Sequence, residues 1–92
     1  MEEEQKQLQY VISKIRDIRV QKSISQLELS VKSNLSQSFL ASIEKGKKQP
    51  SVLTLLRIAN ALDVSPKCFF PANESNSKNE VKETIIDLVR SL

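Results

Sequence analysis

Five small or polar residues between Gln37 and Lys45 are spaced so that one helix would present them together. Their spacing of i, i+1, i+4, i+5 and i+8 places them on one side of an α-helix; they are Gln37, Ser38, Ala41, Ser42 and Lys45. The set contains no acid. A glutamine amide can pair with adenine in a major groove, and a serine hydroxyl can donate or accept there. The pattern predicts a surface that reads DNA bases; its alternative is a solvent-facing helix with ordinary polar residues.

Two short helices joined by a tight turn would hold this surface in place. Ser25 is a good N-cap, and Glu28 three residues later completes the capping-box pattern. Ser36 caps the second helix, which ends at Gly46, the only glycine in the chain. The two helices are predicted over Gln26–Lys32 and Gln37–Lys45.

Close packing of these two helices sets requirements that the sequence meets. Asn34, in the turn, tolerates a positive φ better than most residues do. Ser30 supplies a small side chain on the inner side of the first helix, and Leu40 and Ile43 supply apolar side chains on the inner side of the second. Glu44 is expected on the core side of that helix, away from the base-reading set.

Three further helices are predicted around this unit. From Leu8 to Val20, helical spacing relates Leu8, Val11, Ile12, Ile15 and Ile18. Ser51 caps a helix over Val52–Asp63, whose apolar stripe is Val52, Leu55, Leu56, Ala59 and Leu62. Ser65 and Pro66 begin a short helix that ends at Phe70.

Composition divides the chain into four segments. They are an acidic lead-in over residues 1–7, a helical domain over 8–71, a polar linker over 72–79 and a helix over 80–92. The last helix has an apolar stripe formed by Val81, Ile85, Leu88 and Leu92. The predicted fold class is therefore all-α, with five helices in one domain and a C-terminal amphipathic helix.

Charge and residue usage narrow the function classes. The 92 residues carry a net charge of +3, and the densest basic cluster, Lys45–Lys48, suits a polyanion or is simply a solvated loop. The chain contains no histidine, and it lacks a glycine-rich phosphate loop and a spaced set of metal ligands. An enzyme, a cofactor and a metal are therefore not expected.

Cysteine usage and hydropathy indicate the compartment. Cys68 is the only cysteine, so no internal disulfide can form, and its bulky apolar neighbours predict a buried small hydrophobe. No apolar run approaches the roughly 20 residues that span a bilayer. The acidic start is unlike a signal peptide. A cytoplasmic location without a membrane partner is expected.

Four stretches in order resemble one known family. They are Ser25-Gln26-Leu27-Glu28-Leu29-Ser30, Ser33-Asn34-Leu35-Ser36, Phe39 through Ser51, and Leu55–Pro66. Together they look like the lambda-repressor and Cro-type helix-turn-helix family, also called the xenobiotic-response-element family. The resemblance covers about Val11–Phe70 and implies a five-helix lambda-repressor-like DNA-binding domain. The chain departs from the family's pattern at two positions: it has Asn34 where glycine is frequent, and Ser30 where alanine is frequent.

The resemblance also implies roles for matching residues. Gln26 would clamp a phosphate and brace the recognition helix, and base edges would meet Gln37, Ser38 and Ser42. The DNA backbone would be contacted by Ser36, Lys47, Lys48 and Gln49, with Lys45 also on the DNA-binding side. The family commonly pairs an arginine of the first helix with the glutamate before the glycine, which implies an ion pair of Arg19 with Glu44. The alternative is two exposed charges.

A single recognition helix reads only a few base pairs, so the resemblance implies a homodimer on two half-sites. Candidate dimer contacts are Leu53, Phe69, Phe70, Val81, Ile85, Leu88 and Leu92. Two alternatives stay open: Leu53 is an inert exposed residue, and the last helix folds back on its own domain. Phe39, at the edge of the recognition helix, packs on the core or touches a thymine methyl.

The leading hypothesis is a dimeric repressor or autoregulator of transcription that binds double-stranded DNA without catalysis. The alternative is an antitoxin-like or switch protein whose main role is to bind a partner protein or anti-repressor through the last helix or the surface around Leu53.

Overall fold

The computed structural model describes residues 2–72. This range contains four α-helices, namely α1 (Glu2–Gln21), α2 (Gln26–Ser33), α3 (Gln37–Glu44) and α4 (Val52–Leu62), and a 3-10 helix over Pro66–Phe69. Residues 2–72 include no strand, and none of their helices is long and apolar enough to cross a membrane. The all-α prediction is confirmed for this range, whereas the predicted linker beyond Ala72 and the helix over 80–92 lie outside it.

One face of every helix contributes to a single core. Its fully buried members include Ile15 from α1, Leu29 from α2, Leu40 from α3, Ile58 from α4 and Phe69 from the 3-10 helix. α2 packs against α3 and α4, and α1 packs against α3, α4 and the 3-10 helix. Helices of eight residues are unstable alone in water, so this packing keeps α2 and α3 folded.

A serine caps the N-terminus of each helix after α1. The Oγ atoms of Ser25, Ser36 and Ser51 accept hydrogen bonds of 3.0–3.1 Å from the backbone N–H three residues later. Ser65 Oγ accepts one of 3.4 Å from the Lys67 N–H. The four predicted caps are confirmed. The Glu28 carboxylate of the capping-box pattern lies instead 3.3 Å from Lys32 Nζ, one turn further along α2.

All four α-helices end in a Schellman motif, in which a residue with positive φ reverses the chain and its successor bonds back to the helix. The residues with positive φ are Ser23, Asn34, Gly46 and Asp63. The next residue donates its N–H five residues back in each case, as from Ile24 to the Arg19 carbonyl at 3.0 Å. Three of these successors, Ile24, Leu35 and Val64, pack against the core, whereas Lys47 is exposed.

The first helix is longer than the apolar spacing predicts. It begins at Glu2 instead of Leu8, and its first turn holds Glu2, Glu3 and Glu4. Carboxylates stabilise a helix N-terminus through the helix dipole, which explains how the acidic lead-in becomes helical. The added turns bring Gln5 alongside Gly46, where α1 and the end of α3 line a recess of about 290 Å³.

The apolar stripe of α4 is rotated relative to the predicted one. Val52 is 70% exposed, while Thr54 and Ile58, which the predicted stripe omits, are buried. Ala59 and Leu62 are buried as predicted. Val52 is the first residue of α4 and lies outside the core cluster, so its side chain stays mostly exposed.

The last short helix differs from its prediction in length and in what it buries. It is a single 3-10 turn that ends at Phe69, one residue before the predicted end at Phe70. One such turn can direct few side chains into the core, and here the buried side chain is that of Phe69. Cys68 is therefore exposed, and its predicted burial is wrong.

Candidate nucleic-acid interface

The predicted base-reading residues share the outer side of α3. Leu40 and Ile43 are fully buried on its inner side, as predicted. The opposite side of α3 consists of the exposed Gln37 and Ser38 and the half-buried Ala41 and Ser42, and the exposed Lys45 follows directly after it as the C-cap. Phe39 is half-buried at the edge of this surface, outside the main core cluster.

Two serines on α2 are buried in the fold. Ser30 Oγ donates to the Leu27 carbonyl and Ser33 Oγ to the Leu29 carbonyl, each at 2.6 Å. Because each hydroxyl bonds within its own helix, neither remains unsatisfied although both residues are buried. Asn34 then turns the chain with φ 58°, as the sequence predicts.

An ion pair fixes the far end of α3. Arg19 Nε lies 2.9 Å from Glu44 Oε2, and Arg19 Nη2 lies 2.9 Å from Glu44 Oε1, so the contact is side-on and bidentate. Arg19 Nη1 donates to the Ile24 carbonyl at 2.9 Å. The side chains of Arg19 and Glu44 are only 14% and 5% exposed. The pair that the resemblance implies is therefore present, and it shields the only charged residue of α3 from solvent.

The loop after α3 concentrates positive charge beside that outer surface. Lys45, Lys47, Lys48 and Gln49 are all exposed. The backbone N–H groups of Lys47 and Lys48 both donate to the Ser42 carbonyl, at 2.9 and 3.3 Å. The loop backbone is thus held against α3, while its side chains extend into solvent. This arrangement suits electrostatic contact with a phosphate backbone.

The two remaining predicted DNA contacts lie at helix starts. Gln26 is the half-buried first residue of α2. Ser36 is exposed, and its hydroxyl accepts the Phe39 N–H at 3.1 Å while lying 3.5 Å from Ser38 Oγ. Ser36 therefore acts as a helix cap whether or not it also meets DNA.

Comparison with known proteins identifies the family to which this arrangement belongs. The helix-turn-helix family profile of the Cro/C1 type matches residues 15–67, which include α2, α3 and α4 entirely. The chain belongs to the Cro/C1-type helix-turn-helix family. The match begins within α1 and ends within the 3-10 helix, so it includes most of the core but not Val11 or Phe69.

Two relatives in sequence are named as a regulator and a repressor. The uncharacterized HTH-type transcriptional regulator y4dJ of Sinorhizobium fredii is 42% identical over 48 residues, which is 52% of this chain and 62% of that protein. The immunity repressor protein of Bacillus phage phi105 is 41% identical over 51 residues, 55% of this chain and 35% of the repressor. The matched region therefore spans less than two thirds of either relative.

Solved structures of two restriction-modification controller proteins have the same fold. C.AhdI from Aeromonas hydrophila is 32% identical, with a TM-score of 0.66 over 68% of this chain and 96% of that chain. C.Esp1396I is 32% identical, with a TM-score of 0.64 over 67% of this chain and 80% of that chain.

The predicted dimer contacts within this helix-turn-helix domain differ in their exposure to solvent. Leu53 and Phe70 are 57% and 43% exposed. Phe69 is fully buried in its own domain, so it has no surface to offer a second copy, and its inclusion among the contacts is corrected. The other predicted contacts, Val81, Ile85, Leu88 and Leu92, lie outside the described residues.

Sequence reasoning missed the third acceptor of Arg19. The Ile24 carbonyl belongs to the turn between α1 and α2, and the positive φ of Ser23 gives that turn its path. The available signal was the apolar Ile24 directly after a polar residue at a helix end, as in the pairs Asn34-Leu35 and Asp63-Val64.

Proposed function

We propose that this protein is a DNA-binding transcriptional regulator that places the outer side of α3 in the major groove. The observation that carries the proposal is the neutral outer side of α3, held at one end by the Arg19–Glu44 pair and bordered by exposed lysines. The relatives named as a transcriptional regulator and an immunity repressor support this reading. Acting on DNA would place the protein in the cytoplasm.

Phosphate contacts and base contacts would come from different residues. Lys47, Lys48 and Gln49 would meet the backbone and set the register, whereas Gln37, Ser38 and Ser42 would meet base edges. Gln26 and Ser36, at the starts of α2 and α3, would add backbone contacts beside the groove. Lys45 lies between the two groups, because it is the C-cap of α3 and the first residue of the basic loop.

Repression as a homodimer is the more detailed proposal. One recognition helix covers too few base pairs to select an operator, and a two-fold dimer doubles the site. Leu53, Phe70 and the predicted stripe of the C-terminal segment are the surfaces proposed for the contact. A palindromic consensus among duplexes selected from a random pool would support it, and a non-repeated consensus would contradict it.

Paired substitutions test the DNA-binding surface. Gln37→Ala should weaken binding to the selected site while leaving non-specific binding unchanged, because it removes a base contact. Lys48→Ala should weaken binding to all duplexes about equally. Gln21→Ala, at the end of α1, and Lys67→Ala, on the 3-10 helix, are matched exposed controls. If both test variants bind the selected site like the unmodified protein in a gel shift, the assigned surface is wrong.

A protein partner, such as an anti-repressor, is a second proposal. The adjacent Val52 and Leu53 are 70% and 57% exposed at the start of α4, and such an apolar pair suits a protein contact. A stoichiometric partner that co-purifies with the unmodified protein but not with the Leu53→Ser variant would support this proposal.

A further inference from the structure

The outer side of α3 carries no formal charge. Glu44 is the only charged residue of the helix, and Arg19 covers it. Lys45 follows as the C-cap, after the last helical turn. Base edges that lie against α3 would therefore meet an amide, hydroxyls, a methyl group and an aromatic ring, from Gln37, Ser38, Ser42, Ala41 and Phe39.

These groups match one kind of base pair better than the other. Guanine presents two acceptors in the major groove, for which arginine and lysine are the usual partners, and cytosine presents a donor for a carboxylate. Neither cation nor carboxylate is available on the outer side of Gln37–Ile43. A glutamine amide, in contrast, can donate to adenine N7 and accept from adenine N6.

Apolar groups on the same surface extend this preference. Ala41 lies in the middle of α3 and Phe39 at its edge, and both are half-buried, so part of each side chain remains accessible. Alanine and phenylalanine side chains contact the C5 methyl group of thymine, which is absent from cytosine. The amide and the apolar groups thus both favour A·T pairs.

We infer that the half-site read by α3 consists mainly of A·T pairs, recognised through one adenine edge and at least one thymine methyl group. G·C pairs are confined to the edge nearest Lys45. This inference rests on the proposed DNA-binding function and specifies the class of sequence that the same surface selects.

The test uses the unmodified protein, so a folding defect cannot imitate its result. Duplexes are selected from a random pool, and the Kd of the selected site is measured after single changes. Replacing the adenine that faces Gln37 by guanine should weaken binding about tenfold. Replacing the contacted thymine by uracil, which removes only the methyl group, should weaken it about threefold.

One protein variant assigns the adenine contact. In Gln37→Ala the penalty for the change from adenine to guanine should shrink to less than about twofold. In Gln49→Ala, where the amide lost is in the basic loop, the full penalty should remain. An unchanged penalty in Gln37→Ala would overturn the assignment of that contact.

The outcomes separate this inference from the function beneath it. A selected half-site rich in A·T, sensitive to the uracil replacement, supports the inference. A half-site rich in G·C, or one indifferent to uracil, overturns it while leaving DNA binding intact. Failure to retain any duplex at low salt overturns the proposed function itself.

Discussion

Arg19 and Glu44 lie 25 positions apart in the chain and meet through two hydrogen bonds of 2.9 Å. A third bond from the same guanidinium reaches the Ile24 carbonyl. One side chain thus connects the last turn of α1, the turn into α2 and the end of α3. Because these three points frame the helix-turn-helix, the pair sets the position from which α3 presents its outer side.

Removing the acid should destabilise the whole domain. Glu44→Ala leaves the guanidinium of Arg19 largely buried without its partner, at a cost of about 3–5 kcal/mol in the free energy of unfolding. Urea denaturation followed by circular dichroism measures this loss. Glu28→Ala breaks the exposed pair with Lys32 and should cost less than about 1 kcal/mol. Equal losses in the two variants would refute the structural role of Glu44.

Retaining the charge at position 19 should not restore the pair. Arg19→Lys keeps the cation but loses the planar fork that serves both carboxylate oxygens and the Ile24 carbonyl. We expect a clearly lower melting temperature, whereas Arg16→Lys, at an exposed position of α1, should melt like the unmodified protein. If Arg19→Lys also melts unchanged, point charge alone accounts for the interaction.

The glycine after α3 is needed for its backbone conformation and not for space. Gly46 has φ 78°, and a Cβ built there would meet nothing within 4 Å. Gly46→Ala should therefore lower the free energy of unfolding by about 1 kcal/mol, from backbone strain alone. The reverse change, Ser23→Gly, should be neutral or stabilising at its own positive φ. A stabilising Gly46→Ala would contradict this explanation.

The buried side of α2 should not tolerate a larger side chain at position 30. Ser30 is buried, so Ser30→Val must displace neighbouring atoms, at about 1–3 kcal/mol. Val31→Ser, at a neighbouring position that is 73% exposed, is the control and should change stability little. Thermal unfolding of the two variants compares them directly, and similar melting temperatures would exclude tight packing at Ser30.

The basic loop should determine the salt dependence of DNA binding. If Lys47 and Lys48 each neutralise one phosphate, each alanine substitution should lower the slope of log K against log salt by about 0.9. Lys67→Ala should leave the slope unchanged. Fluorescence anisotropy with a labelled duplex over a salt series measures it, and a slope that persists in the Lys47→Ala, Lys48→Ala double variant would place the phosphate contacts elsewhere.

The helix caps were predictable from the sequence, whereas the boundary between buried and exposed residues on each helix was not. The caps at Ser25, Ser36, Ser51 and Ser65 depend on residues within one turn and are confirmed. The exposure of Val52 and Cys68 depends on where the core ends, which neighbouring helices decide.

Backbone conformation and ion pairing were likewise predictable from residue type and spacing only where they depend on nearby residues. Asn34 and Gly46 were expected at positive φ because of their residue types, but Asp63 also adopts one, held by the packing of Val64 against the core. The Arg19–Glu44 pair was implied by the family resemblance. Helical spacing alone could not relate residues so far apart.

Ile24, Leu35 and Val64 each follow the positive-φ residue at the end of an α-helix and pack against the core. Lys47 occupies the same position after α3 but is exposed. Substitutions at this exposed position have little packing to lose. The strength of attraction to a polyanion can therefore change by single mutations here without endangering the fold. Affinity for a polyanion and stability of the fold can therefore change independently at this position.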